Sequence, residues 1–241
     1  MTLNKSVSVV ICAHDVARLE RLKAAVASIA AQSVPAHETI VVIDHNAALL
    51  ELCKSALGGV MLLENASTQG LSGARNTGAL AATGDIVAFI DDDSVAEPQW
   101  LAALAESYQS QFVMGAGGPI SAVWPDGRPA WLSHEFDWVV GCSYRGQAVD
   151  SASMRNMIGC NMSFRRSALL MAGLFSDGLG RVGTNAAGVE ETELCLRART
   201  MFPSAHFVHN ERARVDHYIE SYRASWRYFF KRCMAEGRSK A

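Results

Sequence analysis

Apolar runs of strand length alternate with stretches of helical periodicity along the first half of the chain. The runs cover residues 7–13, 39–43, 60–63 and 86–90, and they are nearly free of polar side chains, as strands buried on both faces of a sheet are. Between them, apolar residues recur three or four positions apart, as Leu22, Val26 and Ile29 do. The pattern predicts helices from residue 19 to Ser33-Val34-Pro35 and over 47–57, 74–82 and 98–108. Alternating strands and helices predict an α/β fold with a mostly parallel, doubly wound sheet.

Beyond Phe112, glycine and proline interrupt this regularity. The remaining pattern predicts strands at 159–164 and 213–215 and helices at 166–171, 190–201 and 221–235. The glycine-rich stretch 173–188 is interpreted as a long loop that works as a functional lid. We therefore expect a single domain over 1–241, with a regular half at 1–115 and a loop-rich half at 116–241.

Composition narrows the class of protein further. The 241 residues are 49% hydrophobic and 19% charged, with a net charge of −2. This balance allows a substantial core and argues against a nucleic-acid binder. The six cysteines form no CxxC pair, which is typical of reduced thiols in a cytoplasmic protein. We expect neither a signal peptide at residues 1–6 nor a membrane span, because no apolar stretch approaches ~18 residues.

Three consecutive carboxylates, Asp91, Asp92 and Asp93, follow the apolar run 86–90. Open α/β sheets place their ligands at the carboxyl ends of strands, and three adjacent like charges repel unless a positive group shares them. A Mg²⁺ or Mn²⁺ ion is the simplest such group, because both prefer carboxylate oxygens. The alternative is that these residues, with Ser94, open a helix, since carboxylates favour a helix N-terminus.

Five motifs, taken in order, resemble those of the family 2 glycosyltransferases, which are inverting enzymes with the GT-A fold. They are SIAAQSVP, IVVIDHN, GLSGARNTGALAATGDIVAFIDDDS, GCNMSFRR and GVEETELCLR. The resemblance covers nearly the whole chain and implies a Rossmann-like, mostly parallel sheet flanked by helices. It also implies that a sugar passes from a nucleoside diphosphate donor, with UDP favoured, to an acceptor hydroxyl with the help of Mn²⁺ or Mg²⁺.

The resemblance assigns roles in the first half of the chain. The family's Asp-x-Asp element maps onto Asp91 and Asp93, with Asp92 between them. Asp91 and Asp92 are expected to contact the nucleotide sugar and Asp93 the metal. Asp44 matches the aspartate that binds the uracil or ribose, although it also suits a turn. Arg75 matches the arginine near the base and phosphates, the alternative being an arginine that reaches back to solvent.

The chain departs from the family pattern in its first loop. Residues 13–15 read Ala-His-Asp where the family often has Thr-Tyr-Asn, which puts the nucleotide contacts of that loop in doubt.

The resemblance places the general base and a further metal ligand in the second half. The family's Glu-Asp motif maps onto Glu190-Glu191, with Glu191 as the base that takes the acceptor proton. Here a Glu replaces the family's Asp. The alternative is that these residues and Glu193 only favour a helix N-terminus, worth ~0.3–1 kcal/mol each. His217 fits by position as a metal ligand, and the alternative is an ordinary surface or hydrogen-bonded histidine.

The closing segment combines basic and aromatic residues: Arg223, Arg227, Lys231, Arg232 and Arg238 with Trp226, Tyr228, Phe229 and Phe230. Such a helix suits an anionic membrane surface, so we expect a glycan or lipid-linked acceptor and a peripheral contact with the inner face of the cell membrane. The alternative is that the aromatics pack on the sheet and the basic residues face water.

Three other functions compete with sugar transfer. Asp91 and Asp93 also fit the nucleophile motif of haloacid-dehalogenase-type phosphatases, but that motif normally follows the first strand, and no lysine lies between residues 93 and 220. A sugar-nucleotide pyrophosphorylase needs a basic glycine-rich loop after the first strand, which this chain lacks. A non-catalytic nucleotide-sugar-binding module remains a third alternative.

Overall fold

The computed structural model describes residues 5–147, 154–177, 179 and 189–240. The predicted alternation in the first part of the chain is confirmed, with boundaries that shift by a few residues. The elements there are β1 (Val7–Ala13), α1 (Leu19–Ala30), β2 (Glu38–Ile43), α2 (Ala47–Ala56), β3 (Met61–Glu64), α3 (Leu71–Ala81) and β4 (Ile86–Asp91).

The rest of the chain contributes shorter strands and four helices among the described residues. They are β5 (Ser94–Ala96), α4 (Trp100–Ser107), β6 (Val113–Gly117), β7 (Ile120–Val123), β8 (Asn161–Arg165), α5 (Arg166–Met171), α6 (Glu190–Met201), β9 (His206–His209), β10 (Val215–Tyr218) and α7 (Trp226–Lys240). Short 3-10 helices cover Val16–Arg18, His134–Val140 and Ser221–Ala224. None of the helices in the described ranges is long and apolar enough to cross a bilayer.

Seven strands form one sheet in the order β3-β2-β1-β4-β8-β6-β9. The first four are parallel, and β8 runs antiparallel to both of its neighbours. A second sheet has the order β5-β10-β7. The predicted α/β class with a mostly parallel sheet is therefore confirmed.

The central strands are buried on both faces, which explains their continuous apolar runs. In β1, Val9 and Ile11 face a cluster that includes α1, α2 and α4, whereas Val10 faces a cluster that includes α3, α5 and α6. β4 alternates in the same way, with Ile90 on the first face and Phe89 on the second. This burial holds the carboxyl end of β4 in a fixed position.

The structure excludes the alternative in which the acidic triplet and Ser94 open a helix. Residues Ser94–Ala96 form β5, which pairs antiparallel with β10 so that Ser94 lies opposite His217. α4 begins only at Trp100. A carboxylate cap therefore does not account for the acidic triplet. The predicted last strand also moves, from 213–215 to Val215–Tyr218.

The sequence interpretation missed β5, β6, β7 and β9. Glycines conceal β6, and they are needed because neighbouring backbones approach closely: a Cβ on Gly117 would lie 2.5 Å from the carbonyl oxygen of Asn161. The predicted lid at 173–188 lies largely outside the described residues. The six cysteines are free thiols.

Candidate functional site

The acidic triplet lies at the floor of a cavity of about 890 Å³. β4 ends at Asp91, and the turn through Asp92 and Asp93 leads into β5. All three carboxylates line the cavity. A second cavity of about 290 Å³ adjoins it, and Asp91 and His217 line both. All three carboxylates therefore face the large cavity, and Asp91 also faces the small one.

Positive groups surround the two buried members of the triplet. Arg18 Nη1 lies 3.0 Å from Asp92 Oδ1 and 3.1 Å from Asp93 Oδ2. Burial and the charge of Asp93 raise the pKa of Asp92 above its usual value. Burial acts in the same direction on Asp93, but His217, Arg18 and Arg223 outweigh it and hold the pKa of Asp93 below its ordinary range.

Two carboxylate oxygens in this turn are buried: Asp92 Oδ2 has no hydrogen-bond partner, and Asp93 Oδ1 has no well-aligned one, although His217 Nε2 lies 3.2 Å away. Unsatisfied buried polar atoms are rare in proteins, and a bound ion is one of the causes that leave them in this state. Among the described residues, no three His, Cys, Asp or Glu side chains converge as a complete metal site. Mg²⁺, however, is commonly held by one or two carboxylates together with substrate phosphates. The donor set thus fits a cation whose coordination a phosphate ligand completes.

His217, in the middle of β10, is only 4% exposed. Its Nε2 lies 3.2 Å from Asp93 Oδ1, and its side chain lines both cavities. Burial excludes a surface histidine, whereas the contacts with Asp93 and the Cys142 sulfur agree with the alternative of a hydrogen-bonded one. Its ring nitrogen faces the same oxygen that lacks a well-aligned hydrogen bond.

Asp44 lines the large cavity just beyond β2. Its Oδ1 accepts a hydrogen bond from Asn65 Nδ2 at 2.6 Å, and its Oδ2 accepts one from the Gly70 backbone at 2.9 Å. The N-cap of α2 is Asn46, whose side chain accepts from the Leu49 backbone. Asn46 and not Asp44 therefore caps α2. The hydrogen bonds from Asn65 and Gly70 hold the Asp44 side chain beside the large cavity.

Arg75 is 2% exposed, so the alternative of a solvent-facing arginine is wrong. Its guanidinium lies 2.8 Å from Glu190 Oε1 and 3.3 Å from Asp91 Oδ1, and it donates to the Gly159 carbonyl at 3.2 Å. It lines the small cavity and not the large one. Arg75 therefore joins the start of α6 to the tip of β4.

The two glutamates at the start of α6 have different surroundings. Glu190 is 3% exposed and is held by Arg75. Glu191 is half-buried and lines the small cavity together with Asp91 and His217. Glu193 contacts Arg197 and Ser176. Of the three acidic residues in this turn, Glu190 and Glu191 thus reach a cavity, and Arg75 holds Glu190 in place.

Sequence reasoning missed Arg18 and Asn65. Arg18 ends the 3-10 turn after β1, in which the Asp15 side chain accepts a hydrogen bond from the Ala17 backbone. Asn65 follows β3 and also accepts from Thr77 Oγ1 at 2.8 Å. Both residues lie just past the carboxyl ends of strands in the parallel part of the sheet. Their position after strand ends was the signal from which the sequence could have identified them as site residues.

The helix α7 borders both cavities. Arg227 and Lys231 line the large cavity, and Arg232 lines both. On the outside, Trp226, Phe230 and Met234 are 50%, 60% and 59% exposed. Trp131 covers part of this aromatic surface, because it stacks on Trp226 with ring centroids 4.1 Å apart. An exposed apolar row thus runs beside a basic row.

Residues 8–170 match a sequence-family model described as glycosyl transferase family 2. The chain is 32% identical over 238 residues to the glucosyl-dolichyl phosphate glucuronosyltransferase of Haloferax volcanii, which covers 97% of this chain and 76% of the relative. It is 26% identical over 221 residues to the succinoglycan biosynthesis protein ExoM of Rhizobium meliloti, which covers 88% of this chain and 67% of that relative.

Two solved structures share the fold at 18% sequence identity. GalNAc-T7 with UDP, GalNAc and Mn²⁺ superposes with a TM-score of 0.65 over 91% of this chain and 45% of its own. The mannosyltransferase PcManGT from Pyrobaculum calidifontis, in complex with GDP-Man and Mn²⁺, superposes with a TM-score of 0.60 over 89% of this chain and 57% of its own. The chain thus spans about half the length of these two structures.

Proposed function

Because the chain belongs to glycosyltransferase family 2 and has the GT-A fold, we propose that it transfers a sugar from a nucleoside diphosphate donor, preferably UDP-linked, to an acceptor hydroxyl by a metal-dependent, inverting displacement. The large cavity holds the donor and the small cavity holds the acceptor. In this proposal residues 1–115 bind chiefly the nucleotide sugar and residues 116–241 chiefly the acceptor.

The observation that carries the proposal is a pair of buried carboxylate oxygens: Asp92 Oδ2, which has no hydrogen-bond partner, and Asp93 Oδ1, which faces His217 Nε2 at 3.2 Å. Asp93 and His217 would hold a Mn²⁺ or Mg²⁺ ion there, with donor phosphate oxygens completing its shell. When bound, the cation supplies Lewis-acid stabilisation of charge on the leaving diphosphate. Asp44, Asp91 and Asp92 contact the nucleotide sugar, and Arg18 is placed to approach the phosphates.

Glu191 is the proposed general base. An inverting transfer is a single displacement, so the acceptor oxygen must lose its proton as it attacks, and a carboxylate within reach is the natural acceptor of that proton. Glu191 lines the small cavity beside Asp91, which also faces the donor cavity. Arg75 binds Asp91 and Glu190 and thereby positions the base relative to the donor.

Calorimetric titration with a UDP-sugar tests the donor site. Wild-type protein is expected to bind the donor much more tightly with Mn²⁺ than without it, whereas Asp93→Ala should lose this difference. Asp85→Ala is the matched control, because Asp85 precedes the same strand at its other end and is exposed. Metal-dependent affinity that survives in Asp93→Ala would contradict the proposal.

We further propose that the acceptor is a lipid-linked sugar or glycan met at an anionic membrane surface. One relative's name describes transfer to a dolichyl phosphate-linked sugar. In this chain, the apolar row of α7 (Trp226, Phe230 and Met234) suits the interface of a bilayer. The basic residues Arg227 and Lys231 follow one position later, about 100° around the helix, between that row and the large cavity.

Vesicle co-sedimentation tests the membrane contact. Three exposed cations (Arg227, Lys231 and Arg238) are worth about 1 kcal/mol each near an anionic surface, so vesicles containing phosphatidylglycerol should bind roughly 10²-fold more tightly than pure phosphatidylcholine. Phe230→Ser should weaken binding, whereas Leu80→Ser, equally exposed on α3, should not. Equal binding of both vesicle types would contradict the contact.

The phosphatase alternative is wrong, because the chain is a family 2 glycosyltransferase and its acidic strand is the fourth along the chain. The non-catalytic module makes a different prediction from the enzyme. It predicts donor binding without release of nucleoside diphosphate in the presence of metal. Slow, metal-dependent release of UDP from the donor would support the transferase.

A further inference from the structure

The His217 ring is contacted on both of its nitrogens. Nε2 lies 3.2 Å from Asp93 Oδ1, and Nδ1 lies 3.7 Å from the Cys142 sulfur, within hydrogen-bond distance for sulfur. Both partners are nearly inaccessible, since Asp93 is 4% and Cys142 1% exposed. The ring therefore has a fixed direction, with one nitrogen toward the acidic triplet and the other toward a thiol.

The turn that carries Cys142 also touches the edge of the ring. Gly141 has a φ of +85°, and a Cβ placed on it would lie 3.3 Å from His217 Cε1 and 3.6 Å from Nδ1. A side chain here would be strained and would press on the imidazole. Because Gly141 has no side chain, the backbone of this turn can pack against the His217 ring.

A partly buried ion pair between Arg128 and Asp137 supports this turn. The Cys142 backbone donates to the Asp137 carbonyl at 3.1 Å. The Asp137 carboxylate is held by Arg128 at 2.7 and 3.2 Å and contacts His134 Nδ1 at 3.1 Å. The Cys160 thiol donates to the Gly141 carbonyl. Because these contacts fix the backbone, the position of the Cys142 sulfur is fixed as well.

We propose that Cys142 is a positioning residue that orients His217 so that Nε2 faces the proposed cation beside Asp93. This inference rests on the proposed function. Histidines that bind metals almost always engage a partner through the other ring nitrogen, and losing that partner typically costs 10–100-fold in metal affinity or activity. A thiol is both a weak donor and a weak acceptor, so it can satisfy Nδ1 in either tautomer of the ring.

The test is the dissociation constant of Mn²⁺ in the presence of UDP, measured from the electron paramagnetic resonance signal of free Mn²⁺. Cys142→Ala should weaken Mn²⁺ binding by about 10–100-fold. Cys142→Ser should restore most of the affinity, because a hydroxyl also donates and accepts. Cys53→Ala is the control for losing a buried thiol, since Cys53 lies in α2 and lines neither cavity.

A double variant separates positioning from a general structural effect. In a His217→Ala background, Cys142→Ala should cost nothing further. If Cys142→Ala binds Mn²⁺ like wild type, or loses the same factor in that background, the positioning role is overturned. If His217→Ala itself binds Mn²⁺ like wild type, the proposed metal site fails, and this inference fails with it.

Gly141→Ala is a second variant, useful if Cys142→Ala does not fold. It keeps the sulfur but places a methyl group against the ring, and it should also weaken Mn²⁺ binding. Unchanged affinity in a folded Gly141→Ala protein would contradict the proposed fit between the turn and His217.

Discussion

Arg75→Met is expected to cause a large loss of stability, because it breaks a buried ion pair. Arg75 is 2% and Glu190 3% exposed, and their charged groups lie 2.8 Å apart. Methionine fills a similar volume without the charge. The substitution leaves the Glu190 carboxylate buried without its cationic partner. The Oε2 atom of the same carboxylate already has no hydrogen-bond partner.

The expected loss of stability follows from the buried Glu190 charge, which the substitution leaves without its cationic partner. Removing one partner of a buried ion pair typically costs about 3–5 kcal/mol. For a chain of this length, this corresponds to a fall in Tm of about 6–20 °C. Adding Glu190→Gln removes the stranded charge, so the double variant should be more stable than the single one, with a coupling free energy of about 1–3 kcal/mol.

Urea denaturation measures these differences, provided that the m-value stays constant between variants. Arg212→Met is the matched control, because Arg212 also lies 2.8 Å from a glutamate, Glu106, but more than half of each side chain is exposed. Such a surface pair is worth at most about 1 kcal/mol. If Arg75→Met costs no more than Arg212→Met, or if the double variant is additive, the buried pair does not hold α6 to β4 as argued.

Two further variants address the two cavities separately. Glu191→Gln should preserve donor affinity and lower turnover by ~10²-fold or more, the usual scale for losing a general base. Glu193→Gln is the control and should leave turnover unchanged. Equal losses of turnover in steady-state kinetics would favour a purely electrostatic role for both residues at the helix N-terminus. Asn65→Ala should cost about 1–3 kcal/mol in urea denaturation, because it removes hydrogen bonds from buried groups, and it should weaken UDP binding by releasing Asp44; unchanged UDP affinity would show that Asp44 needs no such support.

The regular half of the fold was predictable because its strands are buried on both faces. Apolar runs such as Ile86–Ile90 have one interpretation when helices alternate with them, and β4 appears as predicted. The strand β6 was hidden because its glycines are needed for close backbone approach, and close approach leaves no hydrophobic pattern to detect. The short strand β5 exists only because β10, more than a hundred residues later, pairs with it.

The candidate site was predictable where residues follow strand ends, and less so where the fold brings distant residues together. Asp44, Asp91 and Asp93 could be located from the ends of β2 and β4. The contact of Arg18 with Asp92 and Asp93 joins residues 74 and more positions apart, and no local pattern encodes it. The same holds for Cys142 beside His217.

The central claim is that a divalent cation binds at the Asp93 carboxylate between the donor diphosphate and His217. Anomalous diffraction at the manganese edge, from crystals grown with UDP and Mn²⁺, tests it most directly. We expect one anomalous peak within coordination distance of Asp93, with UDP phosphate oxygens on its other side. A peak elsewhere, or UDP bound outside the large cavity with the Asp93 carboxylate still paired with Arg18 and His217, would contradict the claim.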